Sequence, residues 1–525
     1  MASNPIITGF NPDPTIIRVG DDYFVATSSF EYFPGVPIYH SRDLVNWKVI
    51  GHALTRRSQL DLRNVNPGGG IWAPTLRYHK GTFYLATAVV YDMRATHTPP
   101  RGFYVSTTNI WDETTWSDPV FFDQMGIDQD LLFDDDDRVY LCTARKTMGP
   151  RAPQEAKLAV YACEIDLATG DSLCPPVLLS WHKGVSGGVD EGPHLLKKDG
   201  FYYLFIAEGG TDAGHTEVVL RSHSPLGPYE EPPAGINPLV FNGGVKGAQV
   251  QNTGHADFVE GGDGRWWAVL LATRAPKGGV PQLGRETFLA PVQWKDGWPI
   301  INGGQPITAT IPADLPTSLT EGPWTERFTN PSLDRGWYHL RTPLKPCHTL
   351  TSGTLTLHGN AQTLDNIDSP AALFRKQKHY AGIWSAVLTF EPDNECEEAG
   401  TTIYYGVNSY AAVLVRKKGQ GREVVARWKD EDIAVKEVSA PISGTGPITL
   451  TIQAGPTTYT LLYGKDSDDL KPLRSIPSTL IYRGVYSPLE TPFTGTMLGI
   501  FAQCTDGEMC RAPAVFSEVG WTPAQ

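Results

Sequence analysis

One pattern recurs five times in the first three hundred residues, and it narrows the architectures open to the chain more than any other feature. It reads DPTIIRVGDDYFVATSS from Asp13, APTLRYHKGTFYLATA from Ala73, DQDLLFDDDDRVYLCTA from Asp128, EGPHLLKKDGFYYLFIAEGG from Glu191 and HADFVEGGDGRWWAVLLATR from His255. Successive starts lie 60, 55, 63 and 64 residues apart, and self-similarity at a near-regular period marks a repeat architecture. Each unit is a short apolar run, a turn rich in Gly or Asp, and an alternating aromatic and β-branched run, which predicts a hairpin. The pieces between hairpins, such as SRDLVNW at 41–47, STTNIWDETTW at 106–116 and RSHSPLGPYE at 221–230, read as a turn and an outer strand. Four strands per repeat in five repeats predict an all-β fold that opens with a five-bladed β-propeller.

Beyond the fifth repeat the character of the chain changes. The stretch ATIPADLPTSLTEGP, Ala309 to Pro323, reads as a linker. Alternating segments follow, among them TLTLHG, GIWSAVLTF, TTIYYGV, AAVLVRKK, ITLTIQA and TYTLLYG, and about a dozen short strands without helical periodicity predict a β-sandwich, jelly-roll-like in type. The division expected is a propeller over 1–308, a linker over 309–323 and a sandwich over 324–525.

Composition narrows the partners. A net charge of −13 leaves no basic field for nucleic acid, and no apolar stretch approaches the roughly 18 residues of a membrane span. The start, MASNPIITGF, has no charged segment followed by an apolar one, so a cytoplasmic chain is expected, with a mature secreted form as the alternative. Seven cysteines, an odd number without a CxxC pair, are expected to be mostly buried thiols.

Rotation about a central axis brings the heads of the innermost strands together at one mouth of a propeller. Three of the five heads are acidic: Asp13, Asp128 and Glu191; the others are Ala73 and His255. Carboxylates crowded together repel one another and lose hydration, which raises the pKa of at least one. A protonated acid beside an ionised base is what glycosidic cleavage requires. A single Asp in a phrase such as NPDPT is more often a turn residue; three at equivalent heads are a candidate catalytic set. The run Asp134 to Asp137 sits in the turn of the third hairpin and reads as solvated.

The segments GFNPDPTIIR, SSFEYFPGVPIYHSRDLVNW, GGGIWAPTLRY, EGPHLLKKDGFYYL, AEGGT, TGHADFVE, LGRETFLAPVQWKDGWP and PFTGTMLGIF resemble glycoside hydrolase family 43, in particular its two-domain β-xylosidase and α-L-arabinofuranosidase group. The resemblance runs from about Asn4 to the final strands. It implies an inverting exo-hydrolase in which Asp13 is the general base, Glu191 the general acid, and Asp128 the carboxylate that orients the acid and keeps its pKa high. Asp130, two residues on, is the alternative occupant of the third position. An inverting pair stands roughly 6.5 to 9.5 Å apart, against about 5 to 5.5 Å in a retaining one.

The same resemblance makes Arg285, in LGRET, a sugar-binding residue at the pocket floor, makes Phe30 and Trp72 its aromatic lining, and makes Phe493, in PFTG, a wall contributed by the second domain. Thr211 and His215 are read as rim residues. His255 is read as a substrate-side residue beside an axial ion or water cluster, with Ca²⁺ as a structural ion; no cofactor is required for the hydrolysis. The expected substrate is a xylooligosaccharide losing terminal β-D-xylose, with α-L-arabinofuranosidase as a side activity. An α-L-arabinofuranosidase debranching arabinoxylan is the alternative, its groove shaped by residues 64–70 and 92–102. A carbohydrate-binding propeller without catalysis is the third reading.

Overall fold

The computed structural model describes residues 2–92, 98–147, 157–181, 188–245, 247–487 and 492–524; residues 93–97, within the loop at 92–102, lie outside that set. The fold is all-β, with one short α-helix, Ser478–Ile481, and one 3-10 turn, Asn302–Gly304, among the described residues. None of the described helices is long and apolar enough to cross a membrane.

The first three hundred residues build five antiparallel sheets in chain order. Their first hairpins are Thr15–Val19 with Asp22–Ala26, Thr75–His79 with Thr82–Val90, Ile127–Phe133 with Val139–Arg145, Asp190–Lys198 with Phe201–Glu208, and Val250–Glu260 with Trp266–Arg274. These are the five repeats. The period-2 alternation of a strand explains how they stack, since adjacent residues point to opposite faces. Ile17 joins Phe24, Leu76, Leu85 and Phe103 in a core between the first and second sheets, while its neighbour Ile16 packs with Trp267, Val269 and Leu289 of the fifth. Leu131 and Leu132 divide in the same way between the second–third and third–fourth interfaces, and Phe205 meets Phe258 across the fourth–fifth interface. Val250–Glu260 packs against Thr15–Val19, so the five sheets close on themselves.

Two details depart from four strands per repeat. The second sheet has five strands, and the fourth has three. In the fourth, the segment after Ser222 is HSPLGPYEEPPAGINP; proline cannot donate to a ladder. Only the isolated bridges Arg221–Glu230 and Glu217–Val240 remain where an outer strand was expected.

Residues 311–323 carry no strand. The rest of the chain forms an eight-stranded and a six-stranded antiparallel sheet. Trp384, Leu450 and Phe516 of the larger sheet meet Ile403, Val413 and Ile500 of the smaller in one core, which makes a β-sandwich. The smaller sheet is buried on its other face too. There Phe374, Tyr404, Leu414 and Phe501 pack with Phe10, Phe30 and Tyr32 of the first domain, so Glu397–Gly406 is buried at every position. A two-stranded ladder, Tyr32–Phe33 with His339–Leu340, stitches the domains together.

Candidate active site

The heads of the repeats share an unusual backbone. Asp13, Asp128 and His255 have φ of 54°, 56° and 55°, and Gly192, beside Glu191, has φ of 59°. The ladders shift register at the same places, between Ile127 and Asp130, Glu191 and His194, and Gly254 and Asp257. A bulge re-aims one side chain out of the alternation, and left-handed backbone at non-glycine residues costs energy and clusters at functional sites. The consequence is a set of polar side chains turned out of the strands into one cavity of about 460 Å³, lined by Asp13, Asp128, Glu191, His255 and Arg285 together with Phe30, Trp72, Thr211, His215, Tyr486 and Phe493.

Residues two to four places beyond the heads form a separate layer. Arg77 pairs with Asp130 at 3.0 Å and Asp257 at 2.9 Å and meets His194 Nδ1 at 3.2 Å, while Thr15 Oγ1 donates to Asp257 Oδ2 at 2.7 Å. One residue from each repeat thus enters a single buried network. Burial, the largest single effect, would raise both carboxyls, but the Arg77 charge together with His194 and the hydrogen bonds outweighs it, and both lie below the usual carboxylate range. Asp130 belongs to this network, and Asp128 is the acid that faces the cavity.

Within the cavity the three acids have different surroundings. Asp13 accepts from Ser28 Oγ on Oδ2 and from Arg285 Nη1 on Oδ1 at 2.9 Å, so both oxygens act as acceptors. Burial, and then the charge of Asp13, pushes Glu191 up to about 7 against the pull of Arg285. Asp128 is raised well above the carboxylate range, first by burial and next by Glu191, although its Oδ2 accepts from the Gly192 N–H at 2.8 Å. Two raised acids thus stand beside a carboxylate whose two oxygens both accept hydrogen bonds, which gives one site a proton donor and a proton acceptor.

Arg285 joins the two domains. Its Nη1 also donates to Thr211 Oγ1 at 3.0 Å, and its Nη2 donates to the Phe493 carbonyl at 3.1 Å. The guanidinium lies 5.6 Å from the Phe30 ring and 5.8 Å from that of Phe493. Close docking at this seam depends on glycine. A Cβ on Gly284 (φ +83°) would stand 2.8 Å from Gly495 Cα and Thr494 O, and one on Gly495 would stand 2.2 Å from Leu283 O. Phe30, Trp72 and Phe493 form a triangle with centroids 5.5 to 6.1 Å apart. Trp72 Nε1 is tied to the Gly68 carbonyl at 2.9 Å, which fixes the ring.

Burial keeps the two cavity histidines neutral. Burial lowers His255 to about 3 and His215 to about 4. His215 Nδ1 donates to the Asn252 carbonyl at 3.0 Å, leaving Nε2, buried and unpartnered, as an acceptor. His255 stands 3.8 Å from Asp13 Oδ1. A hard cation needs six to eight oxygens, and the Asp13 oxygens beside His255 are already engaged by Ser28 and Arg285. Among the described residues no group of three or more His, Cys, Asp or Glu is arranged to hold a metal.

Ser28 and Tyr486 belong to the site and escaped the sequence reading. Ser28 follows the second strand of the first repeat as one of three serines and threonines in a row. Tyr486 lies in a segment, YSPLE, with no repeat and no periodicity. Its closeness to PFTG was the one available signal.

The family model for glycosyl hydrolases family 43 matches residues 2–299, and the one described as the beta xylosidase C-terminal concanavalin A-like domain matches residues 325–521. This chain belongs to glycosyl hydrolase family 43. It is a glycoside hydrolase. Its family-43 relatives include the non-reducing end alpha-L-arabinofuranosidase of Bacteroides ovatus, 37% identical over 525 residues and covering 98% of this chain and 93% of that one. Another is the xylan 1,3-beta-xylosidase of a Vibrio species, 36% identical over 80% of each chain. Among solved structures, the xylan beta-1,4-xylosidase of Bacillus halodurans superposes with a TM-score of 0.90 at 32% identity, over 99% of this family-43 chain and 100% of the other.

Proposed function

We propose that this family-43 hydrolase removes terminal β-D-xylose from the non-reducing end of xylooligosaccharides with inversion, and that it also cleaves terminal α-L-arabinofuranose. The five sheets that close on themselves are read as the blades of a five-bladed propeller, whose strand heads meet at one mouth. The observation that carries the reading is the division of roles between Asp13, whose two oxygens accept hydrogen bonds, and Glu191, held protonated up to about 7 in the same cavity.

In the proposed reaction Asp13 takes a proton from a water whose oxygen attacks the anomeric carbon. The bond from that carbon to the leaving oxygen breaks, and Glu191 gives its proton to that oxygen. Asp128, raised and bonded to the backbone beside Glu191, positions the acid. The sum is addition of water across the glycosidic bond; the two carboxyls regain their starting states by proton exchange with solvent. Arg285 and Thr211 supply fixed polar groups for sugar hydroxyls, and Phe30, Trp72 and Phe493 offer apolar ring faces. Phe493 walls the cavity from the second domain, which favours a chain end over a mid-chain segment. The relatives named for both xylosidase and arabinofuranosidase activities support dual acceptance.

The test is parallel hydrolysis of 4-nitrophenyl β-D-xylopyranoside, 4-nitrophenyl α-L-arabinofuranoside, xylobiose and arabinoxylan by the wild type and Glu191→Ala. Xylobiose cleavage that is lost in the variant supports the reading. Release of arabinose from polymer with little action on xylobiose would replace it by a debranching arabinofuranosidase, and absence of Glu191-dependent turnover on all four would overturn it.

A further inference from the structure

Three aromatic rings run in series from the floor of the cavity to its mouth. Phe30 and Phe493 have centroids 6.1 Å apart, and Phe493 and Tyr486 stand edge to face at 5.7 Å and 89°. Exposure rises along the series from 2% at Phe30 and 6% at Phe493 to 51% at Tyr486. The first two rings are packed into the floor and wall, whereas Tyr486 keeps half its surface open at the entrance.

An exposed tyrosine is ordinarily mobile, and this one is pinned. Its hydroxyl oxygen accepts the Thr211 N–H at 3.3 Å, and Thr211 Oγ1 is itself held by Arg285. Gly210 leaves room for that contact, because a Cβ there would come 3.1 Å from the Tyr486 hydroxyl. The ring is therefore set perpendicular to that of Phe493 and tied at its tip, and the half of its surface left open is the face it presents to the cavity. Tyr486 also lies near enough to Glu191 to feel its charge.

Position decides what such a face is for. If Glu191 delivers the proton to the leaving oxygen, the leaving group occupies the Glu191 side of the cavity, towards the mouth. We propose that Tyr486, supplied by the second domain, is the platform on which the leaving sugar stacks, and so sets the preference for oligosaccharides over substrates with small leaving groups. This rests on the assignment of Glu191 as the acid. A rigid ring with two torsions immobilised in advance binds at low entropic cost, and a ring face accepts the C–H face of a sugar without requiring one linkage.

The experiment compares xylobiose with β-D-xylosyl fluoride, whose leaving group offers nothing to stack and needs no protonation. For Tyr486→Ala, the ratio of kcat/KM on xylobiose to kcat/KM on the fluoride is expected to drop about tenfold, carried mainly by KM; turnover of the fluoride by the same sample reports a folded site. Tyr486→Phe, which keeps the ring, is expected to hold that ratio within about threefold of wild type. An unchanged ratio in Tyr486→Ala, whether both activities fall together or neither does, overturns the proposal. Glu191→Gln separates the underlying reading: xylobiose activity lost with fluoride activity retained upholds the acid, and loss of neither removes it independently of how Tyr486 behaves.

Discussion

Arg285 Nη1 stands 2.9 Å from Asp13 Oδ1 while Nη2 of the same guanidinium holds the Phe493 carbonyl at 3.1 Å. The proposed base and the aromatic wall are thus oriented by one planar group, and a point charge on a flexible stem could not reproduce both bonds. Arg285→Lys is expected to lower kcat/KM by about 10²-fold or more, read by steady-state kinetics on xylobiose. A loss smaller than threefold would mean that Asp13 and Phe493 hold their places without it.

Asp13 and Glu191 predict different responses to the leaving group. Asp13→Asn is expected to lose about 10²- to 10⁴-fold in kcat on every substrate, because each needs an activated water. Glu191→Gln should lose a comparable factor on xylobiose and much less on 4-nitrophenyl β-D-xylopyranoside, whose phenolate leaves without a proton. Proton NMR of the first-formed xylose checks the stereochemistry: the α-anomer must appear first, and an initial β-anomer would rule out inversion.

The pH dependence follows from Glu191. Its proton is held up to about 7, so kcat/KM should fall as pH rises through about 7. The charge of Asp13 is the second cause of that elevation, after burial; the residual activity of Asp13→Asn on xylobiose should therefore fall at a lower pH. Folded Glu191 also binds its proton more tightly than the unfolded chain, whose value is 4.5. Its contribution to stability is complete below 4.5 and is lost as pH rises through about 7. Thermal melting across pH 4 to 8 should show that loss in the wild type and a flatter profile in Glu191→Gln.

Arg77 carries a stability prediction rather than a catalytic one. Arg77→Met leaves Asp130 and Asp257 buried without their countercharge, which costs about 3–5 kcal/mol. Urea unfolding should register it, and replacement of all three by apolar residues should recover part of the loss. A midpoint unchanged in Arg77→Met would show that the network is not balanced by this residue.

The seam between domains is tested at Gly284. Gly284→Ala forces a side chain into left-handed backbone, at about 1–2 kcal/mol, and into contact with the Gly495 backbone at 2.8 Å. The expected result is lower thermal stability together with reduced kcat/KM, since Arg285 and Phe493 flank the contact. Gly264→Ala, also at positive φ (+78°) but with open space around it, supplies the control for backbone strain alone.

Much of this was legible because rotation writes a fold into a chain as repetition. Asp13, Asp128 and Glu191 occupy equivalent heads, so alignment of the repeats against one another was enough to place three carboxyls together. Asp128 and Asp130 illustrate where that reasoning stops. Both lie in the first strand of the same repeat, and a register shift between Ile127 and Asp130 decides which one meets the cavity; bulges of this kind leave no periodicity. The missing outer strand of the fourth sheet is a similar case, because hairpin counting gave it an average shape while its own prolines forbid the ladder. Tyr486 arrives from the other domain through tertiary docking, and nothing local but its closeness to PFTG announces it.

The carbonyl of Phe493 held by Arg285 has one further consequence. A pocket whose floor and wall come from different domains is itself a binding reaction between those domains, and a sugar that fills it behaves as an adhesive. Ligand affinity and interdomain affinity become two measurements of a single coupling, so xylose should raise the melting temperature of the whole chain in one cooperative transition.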